Sequence, residues 1–123
     1  MEVKKMEAVV KSEKDIEAIE WIKLPFPGCT IKILGRNKET GACGVLFRMA
    51  PGAESPRGHS HPSTEQIMSL DGEVEIEGKK YGAGSYLYIP PGTRHGPFKA
   101  GTKGWIAFCA FDGPIGIEEQ MAE

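Results

Sequence analysis

The chain has 123 residues, a length that suits one domain and leaves little for a second. Apolar residues make up 40% and charged residues 26%, which excludes wholesale disorder. Fifteen Lys and Arg against seventeen Asp and Glu give a net charge of -2, so the basic excess that follows a nucleic-acid backbone is missing, and no apolar run approaches the roughly 20 residues that span a bilayer. Neither nucleic acid nor membrane is therefore expected as a partner.

The opening stretch, MEVKKMEAVVKSEKD, has no long apolar core and no cleavage pattern. It does not read as a signal peptide, and the expected location is the cytoplasm. Residues 1–24 form an N-terminal arm in this reading. Ser12 to Ile22 predicts either a short helix, with Ser12 as N-cap and Ile16, Ile19 and Trp21 or Ile22 on one side, or an edge strand laid on the main body.

From Pro25 the text changes. Sixteen Gly and nine Pro, about a fifth of the chain against a usual total near 12%, punctuate it throughout. That density predicts many short strands joined by tight turns. Thr30 to Leu34 is β-branched and apolar; Asn37 to Gly41 is a turn; Ala42 to Met49 is a second strand closed by Pro51-Gly52. Glu65 to Leu70 runs into Asp71-Gly72, a hairpin signal. Glu73 to Glu77 alternates strictly, acidic on one face and apolar on the other, as a half-buried antiparallel strand does. Gly78-Lys79-Lys80 turns, and Ser85 to Ile89 is a strand stopped by Pro90-Pro91-Gly92. Lys103 to Phe111 is apolar on both faces and belongs inside. Eight to ten strands of this kind give an all-β sandwich or barrel over residues 25–112, with 113–123 as a C-terminal tail. Cys29, Cys43 and Cys109, odd in number and widely spaced, suit buried free thiols.

The chemistry concentrates in three histidines. His59 and His61 form H-x-H, and residues i and i+2 of a strand share a face, so two imidazoles stand side by side. His95 follows the Pro-Pro-Gly turn, and Glu65 lies four residues past His61. Clustered neutral imidazoles with a carboxylate are a donor set for a borderline divalent metal. The same alternation places Arg57 on the face of His59 and His61, and Lys99 on the face of His95. Either cation then presents a charge to a substrate beside the metal. Tyr86, Tyr88, Phe98, Trp105 and Phe108 are candidates to line the barrel.

Two stretches carry a family resemblance. Gly52-AESPRG-His59-Ser60-His61-PST-Glu65-QIMSLD-Gly72 matches the first motif of the cupin superfamily, G(X)5HXH(X)3-4E(X)6G, save that Gly52 sits one residue too far upstream. Gly84-SYLYI-Pro90-Pro91-Gly92-TR-His95-GPF-Lys99 matches the second, G(X)5PXG(X)2H(X)3N, save that Lys99 replaces the final Asn. The flow outside these motifs is similar to the small ChrR-type and acetylacetone-dioxygenase-like cupins.

The resemblance implies a single-domain double-stranded β-helix, the jelly-roll barrel, with His59, His61, Glu65 and His95 at the metal-ligand positions. It also implies a homodimer, with the N-terminal arm as its natural contact. One divalent transition metal per chain is expected, iron first, with zinc, nickel or manganese as alternatives. The expected function is a small mononuclear metal enzyme of dioxygenase type acting on a small dicarbonyl or aromatic ketone. Two alternatives stand beside it: a non-catalytic metal or ligand sensor, as in ChrR, and a metal-dependent isomerase or decarboxylase.

Overall fold

The structure, a computed structural model, describes residues 7–55 and 60–116. The arm realises both alternatives in turn. A helix, α1 (Glu13–Ala18), starts at a capping box in which Ser12 Oγ accepts from the Asp15 amide and the Asp15 carboxylate accepts from the Ser12 amide. Those two bonds hold the Asp15 carboxyl below its ordinary value. The helix ends at Ile19, which is extended, and the barrel caps its last carbonyls: the buried Lys32 ammonium donates to Ile16 O at 2.9 Å and Glu17 O at 3.5 Å. The Trp21 ring next covers Lys32 and Arg48, with the guanidinium 4.0 Å from the ring centroid. The chain then enters the sheet as β1 (Ile22–Lys23).

Six further strands follow: β2 (Cys29–Arg36), β3 (Cys43–Met49), β4 (Glu65–Ile76), β5 (Lys79–Gly82), β6 (Tyr86–Ile89) and β7 (Phe98–Phe111). Among the described residues they make one antiparallel sheet in the order β1-β2-β3-β7-β4-β5, with β6 also on β4. The all-β expectation holds. Residues of β2, β3, β4 and β7 together line a single cavity, so the sheet is rolled around its own core as a barrel.

The strands are fewer than expected because two predicted ones are one. Asp71-Gly72 does not turn the chain. It is a bulge inside β4, where the register with β7 shifts on both sides of it, and Gly72 takes φ +77. The bend lets the first half of β4 pair with β6 and the second with β5, while both halves keep β7 on the other edge. The last long strand begins at Phe98, ahead of the predicted Lys103.

Inward side chains of these strands form the core. Glu65, Ile67 and Ser69 point in from β4, and Trp105, Ala107, Cys109 and Phe111 from β7. Trp105 is 1% exposed and meets Phe47 and Phe98 edge-on at 5.9 and 6.1 Å. Such pairs add about 0.5–1.5 kcal/mol each beyond area burial. Tyr86 and Tyr88 do not line the barrel. They point outward, 53% and 58% exposed, while Leu87 and Ile89 of β6 turn in.

Candidate metal centre

His61 lies in the segment leading into β4, and backbone pairing fixes where that segment goes. Ser63 Oγ donates to Pro114 O at 2.8 Å, and the Thr64 amide donates to Asp112 Oδ1 at 2.8 Å. These bonds tie the start of β4 to the chain that leaves β7. The Gly92 amide donates to His61 O at 2.9 Å, which fastens the β6–β7 turn to the same segment. His95, three residues on, is thereby brought over His61, with ring centroids 5.0 Å apart. Glu65, the first residue of β4, points inward between them.

The three side chains meet as a donor set. His61 Nε2 is 3.2 Å and His95 Nε2 3.5 Å from Glu65 Oε1. One donor atom from each residue lies within 4.8 Å of the others, close enough to hold one ion. All three are at most one-tenth exposed at the side chain.

The tautomers follow from the backbone. His61 Nδ1 is 2.8 Å from Ile115 O, and His95 Nδ1 is 3.1 Å from Thr93 O. A carbonyl can only accept, so both Nδ1 atoms carry hydrogen. In the neutral rings Nε2 is then the lone-pair nitrogen, and on both rings it faces the Glu65 carboxylate. Glu65 Oε1 is buried and makes no well-directed hydrogen bond. Acceptors converging on an acceptor require a cation between them, and backbone-oriented imidazoles of this kind are the ordinary support of a metal ligand. The residues present therefore fit a divalent metal.

Without a metal the cation is a proton. Burial pushes the Glu65 carboxyl up, yet His61 and His95 outweigh it and hold the group down at about 2. Burial works against charge on His61 as well. The hydrogen bond and charge of Glu65, with the Ile115 carbonyl, overcome it and raise the imidazole above its ordinary value.

The donors open into a cavity of about 80 Å³ with walls that are mostly apolar, among them Phe47, Ile67, Phe98, Trp105 and Phe111. Its polar lining among the described residues is His61, Glu65, His95 and Ser55, with Cys109 beside them. The Ser55 hydroxyl is engaged by the Phe98 amide at 2.7 Å.

Of the expected site residues, the structure brings together His61, Glu65 and His95. His59 and Arg57 lie outside the described residues. Lys99 is corrected: it is exposed, sits opposite Glu75 on β4 and does not line the cavity. His95 precedes β7, which starts only at Phe98, so alternation cannot be counted from it. Within β7 it is Phe98 and Ala100 that face in. Two groups escaped the sequence reading. The Ile115 carbonyl is a backbone atom with no residue-type signal. Cys109 was expected only as a buried thiol, although its place two positions before Phe111, the end of an apolar run, puts it on the inner face that Glu65 shares.

Comparison with known proteins agrees with this geometry. The sequence pattern of the ChrR cupin-like domain matches residues 9–113. No curated protein is similar enough in sequence to match. Among solved structures, an RmlC-like cupin from Shewanella frigidimarina is similar at 25% identity and TM-score 0.64, over 80% of this chain and 86% of that one. A chain of the Rhodobacter sphaeroides complex of SigE with the anti-sigma ChrR is similar at 26% identity and TM-score 0.66. There 79% of this chain is covered but only 51% of the other, so this chain spans about half its length. An acetylacetone dioxygenase from Acinetobacter johnsonii, 19% identical at TM-score 0.65 over 90% of this chain and 77% of that one, shares the fold.

Proposed function

The chain belongs to the ChrR cupin-like family, and on that premise we propose that it is a mononuclear metal enzyme of dioxygenase type acting on a small, neutral dicarbonyl compound. The observation that carries this reading is the convergence of two backbone-oriented imidazole Nε2 atoms and the buried Glu65 Oε1 on one point of an apolar cavity.

His61, Glu65 and His95 would hold the ion, with His59 proposed as a third imidazole. Clustered imidazoles with one carboxylate suit Fe(II) first; zinc, nickel and manganese are the alternatives. When bound, such an ion supplies Lewis-acid polarisation of a carbonyl oxygen and redox chemistry with dioxygen. The chain's own part is placement and exclusion. Glu65 reduces the net charge of a divalent ion from +2 to +1. Phe98, Trp105 and Phe111 keep water from the donors.

Size and charge choose the substrate class. The cavity is small, about 80 Å³, and a short dicarbonyl needs less room in it than an aromatic ketone. Among its described lining residues none is Lys or Arg, which favours a neutral substrate over the keto acid of a decarboxylase, and the apolar walls favour a dicarbonyl over a sugar. Arg57, which lies outside the described residues, is kept as the proposed donor to a carbonyl oxygen of that neutral substrate. The working unit is proposed to be a homodimer, which sedimentation velocity checks.

The test is dioxygen uptake by protein loaded anaerobically with Fe(II) and given 2,4-pentanedione. Uptake matching the loss of dicarbonyl supports the reading. No uptake by fully iron-loaded protein with this or other short dicarbonyls overturns it. A second reading, a metal-responsive binding domain, draws on the similarity to the SigE–ChrR complex. It predicts stoichiometric metal without turnover, and a protein partner whose binding changes when the metal is removed.

A further inference from the structure

Cys109 is 4% exposed and lies in the wall of the cavity. On β7 it pairs with Ile67 of β4, while Glu65 pairs with Phe111. Cys109 and Glu65 are therefore diagonal neighbours on the same inner face of two adjacent strands, within side-chain reach. Glu65 has one oxygen aimed at the two imidazoles and is itself 6% exposed. A carboxylate so deeply buried needs its remaining acceptor capacity met, and the only thiol in the lining stands beside it.

We propose that Cys109 is a positioning residue for the metal: its S–H donates to Glu65 and holds the carboxylate with Oε1 turned toward His61 Nε2 and His95 Nε2. This rests on the metal-centre reading above and adds to it the group that orders the acidic ligand. A thiol S–H is a donor, and Cys109 stands on the inner face diagonally across from Glu65. The set of donor atoms within 4.8 Å of one another comprises His61, Glu65 and His95, without the sulfur.

Cobalt(II) is the probe, because its visible absorption reports the donor set directly. Affinity is measured by chelator competition for wild type, Cys109→Ala, Cys109→Ser and Cys29→Ala. Cys29 is an equally buried thiol that contacts Glu54 O at 3.9 Å, away from the donors. It controls for the loss of a core sulfur.

Cys109→Ala is expected to weaken cobalt binding about 10- to 100-fold, the usual range for lost support of a ligand, and to shift the visible bands. Cys109→Ser, which restores a donor, is expected to stay within a few-fold of wild type, as is Cys29→Ala. Equal weakening in Cys109→Ala and Cys29→Ala, or in Cys109→Ala and Cys109→Ser, makes the sulfur a packing atom and overturns the inference. So does a sulfur-to-cobalt charge-transfer band in wild type that Cys109→Ser removes, because sulfur would then be a ligand. A wild type that binds no cobalt or iron overturns the metal reading, and this inference with it. Thermal melts of the metal-free variants separate misfolding from weakened binding.

Discussion

Ser69 is 2% exposed and Trp105 1%, and the indole Nε1 donates to Ser69 Oγ at 3.0 Å. Removing the hydroxyl strands a buried N–H, which costs about 1–3 kcal/mol. Ser69→Ala is expected to lower stability by that amount in urea unfolding; a change below about 0.5 kcal/mol would mean that another acceptor takes the indole. Lys99→Ala gives the opposite kind of result. Its side chain is outside the cavity, so metal affinity and any dicarbonyl turnover are expected to match wild type, whereas His61→Ala or His95→Ala removes a donor and stoichiometric metal with it. A Lys99 variant with impaired turnover would return that residue to the site. The contrast between Lys99 and the histidines shows what spacing can carry. His61, Glu65 and His95 were legible because each sits at a fixed distance from a Gly or Pro that sets a turn, and turns fix where a chain goes. Lys99 was misread because its facing depends on where β7 begins, and no side chain in Gly96-Pro97-Phe98 announces that.

At the scale of the strand, β4 owes its bend to Gly72. With φ +77, an added Cβ would lie 2.1 Å from Gly104 O, a backbone atom that cannot swing away. Gly72→Ala combines left-handed strain with this clash and is expected to cost on the order of 3 kcal/mol or more. Gly84, at φ +89 with nothing within 4 Å of an added Cβ, is the matched control. Gly84→Ala carries the strain alone, about 1–2 kcal/mol. Equal losses in chemical denaturation would mean that β4 and β7 can separate at the bulge. The same residue explains why the element was misjudged from sequence. Asp-Gly favours positive φ, and a hairpin and a bulge both use it. Only the pairing of β7 with both halves of β4, a contact far apart in the chain, decides between them. β6 was ambiguous for another reason: Tyr86 to Ile89 is apolar at every position, so alternation leaves its inner face undecided, and the structure chooses Leu87 and Ile89.

For the molecule as a whole, the donor set adds to the hydrogen bonds that already join the entry to β4, the β6–β7 turn and, through Ile115 O, the chain after β7. An ion bound only by the folded state stabilises it by mass action, about 2.7 kcal/mol at a hundred times Kd, or on the order of 10 °C in Tm for a chain of this size. The pH dependence has opposite signs with and without metal. In metal-free protein Glu65 is held at about 2 against an ordinary 4.5, so its contribution is full above pH 4.5 and is lost as pH falls toward 2. His61 is raised above 6.5, so its contribution is full below pH 6.5 and is lost as pH rises through the raised value. Metal-free protein is therefore expected to be most stable between about pH 4.5 and 6.5 and to lose Tm toward pH 9. Metal competes with the proton for Nε2, so its affinity climbs over the same interval. The gain in Tm on adding metal should accordingly widen from pH 5.5 to pH 8. Melting curves in chelator and in excess metal across that range check both slopes. A metal-induced gain that stays constant with pH would place the ion on groups other than the imidazoles, and a metal-free Tm that rises toward pH 9 would remove the protonated His61–Glu65 pair from the account of the fold.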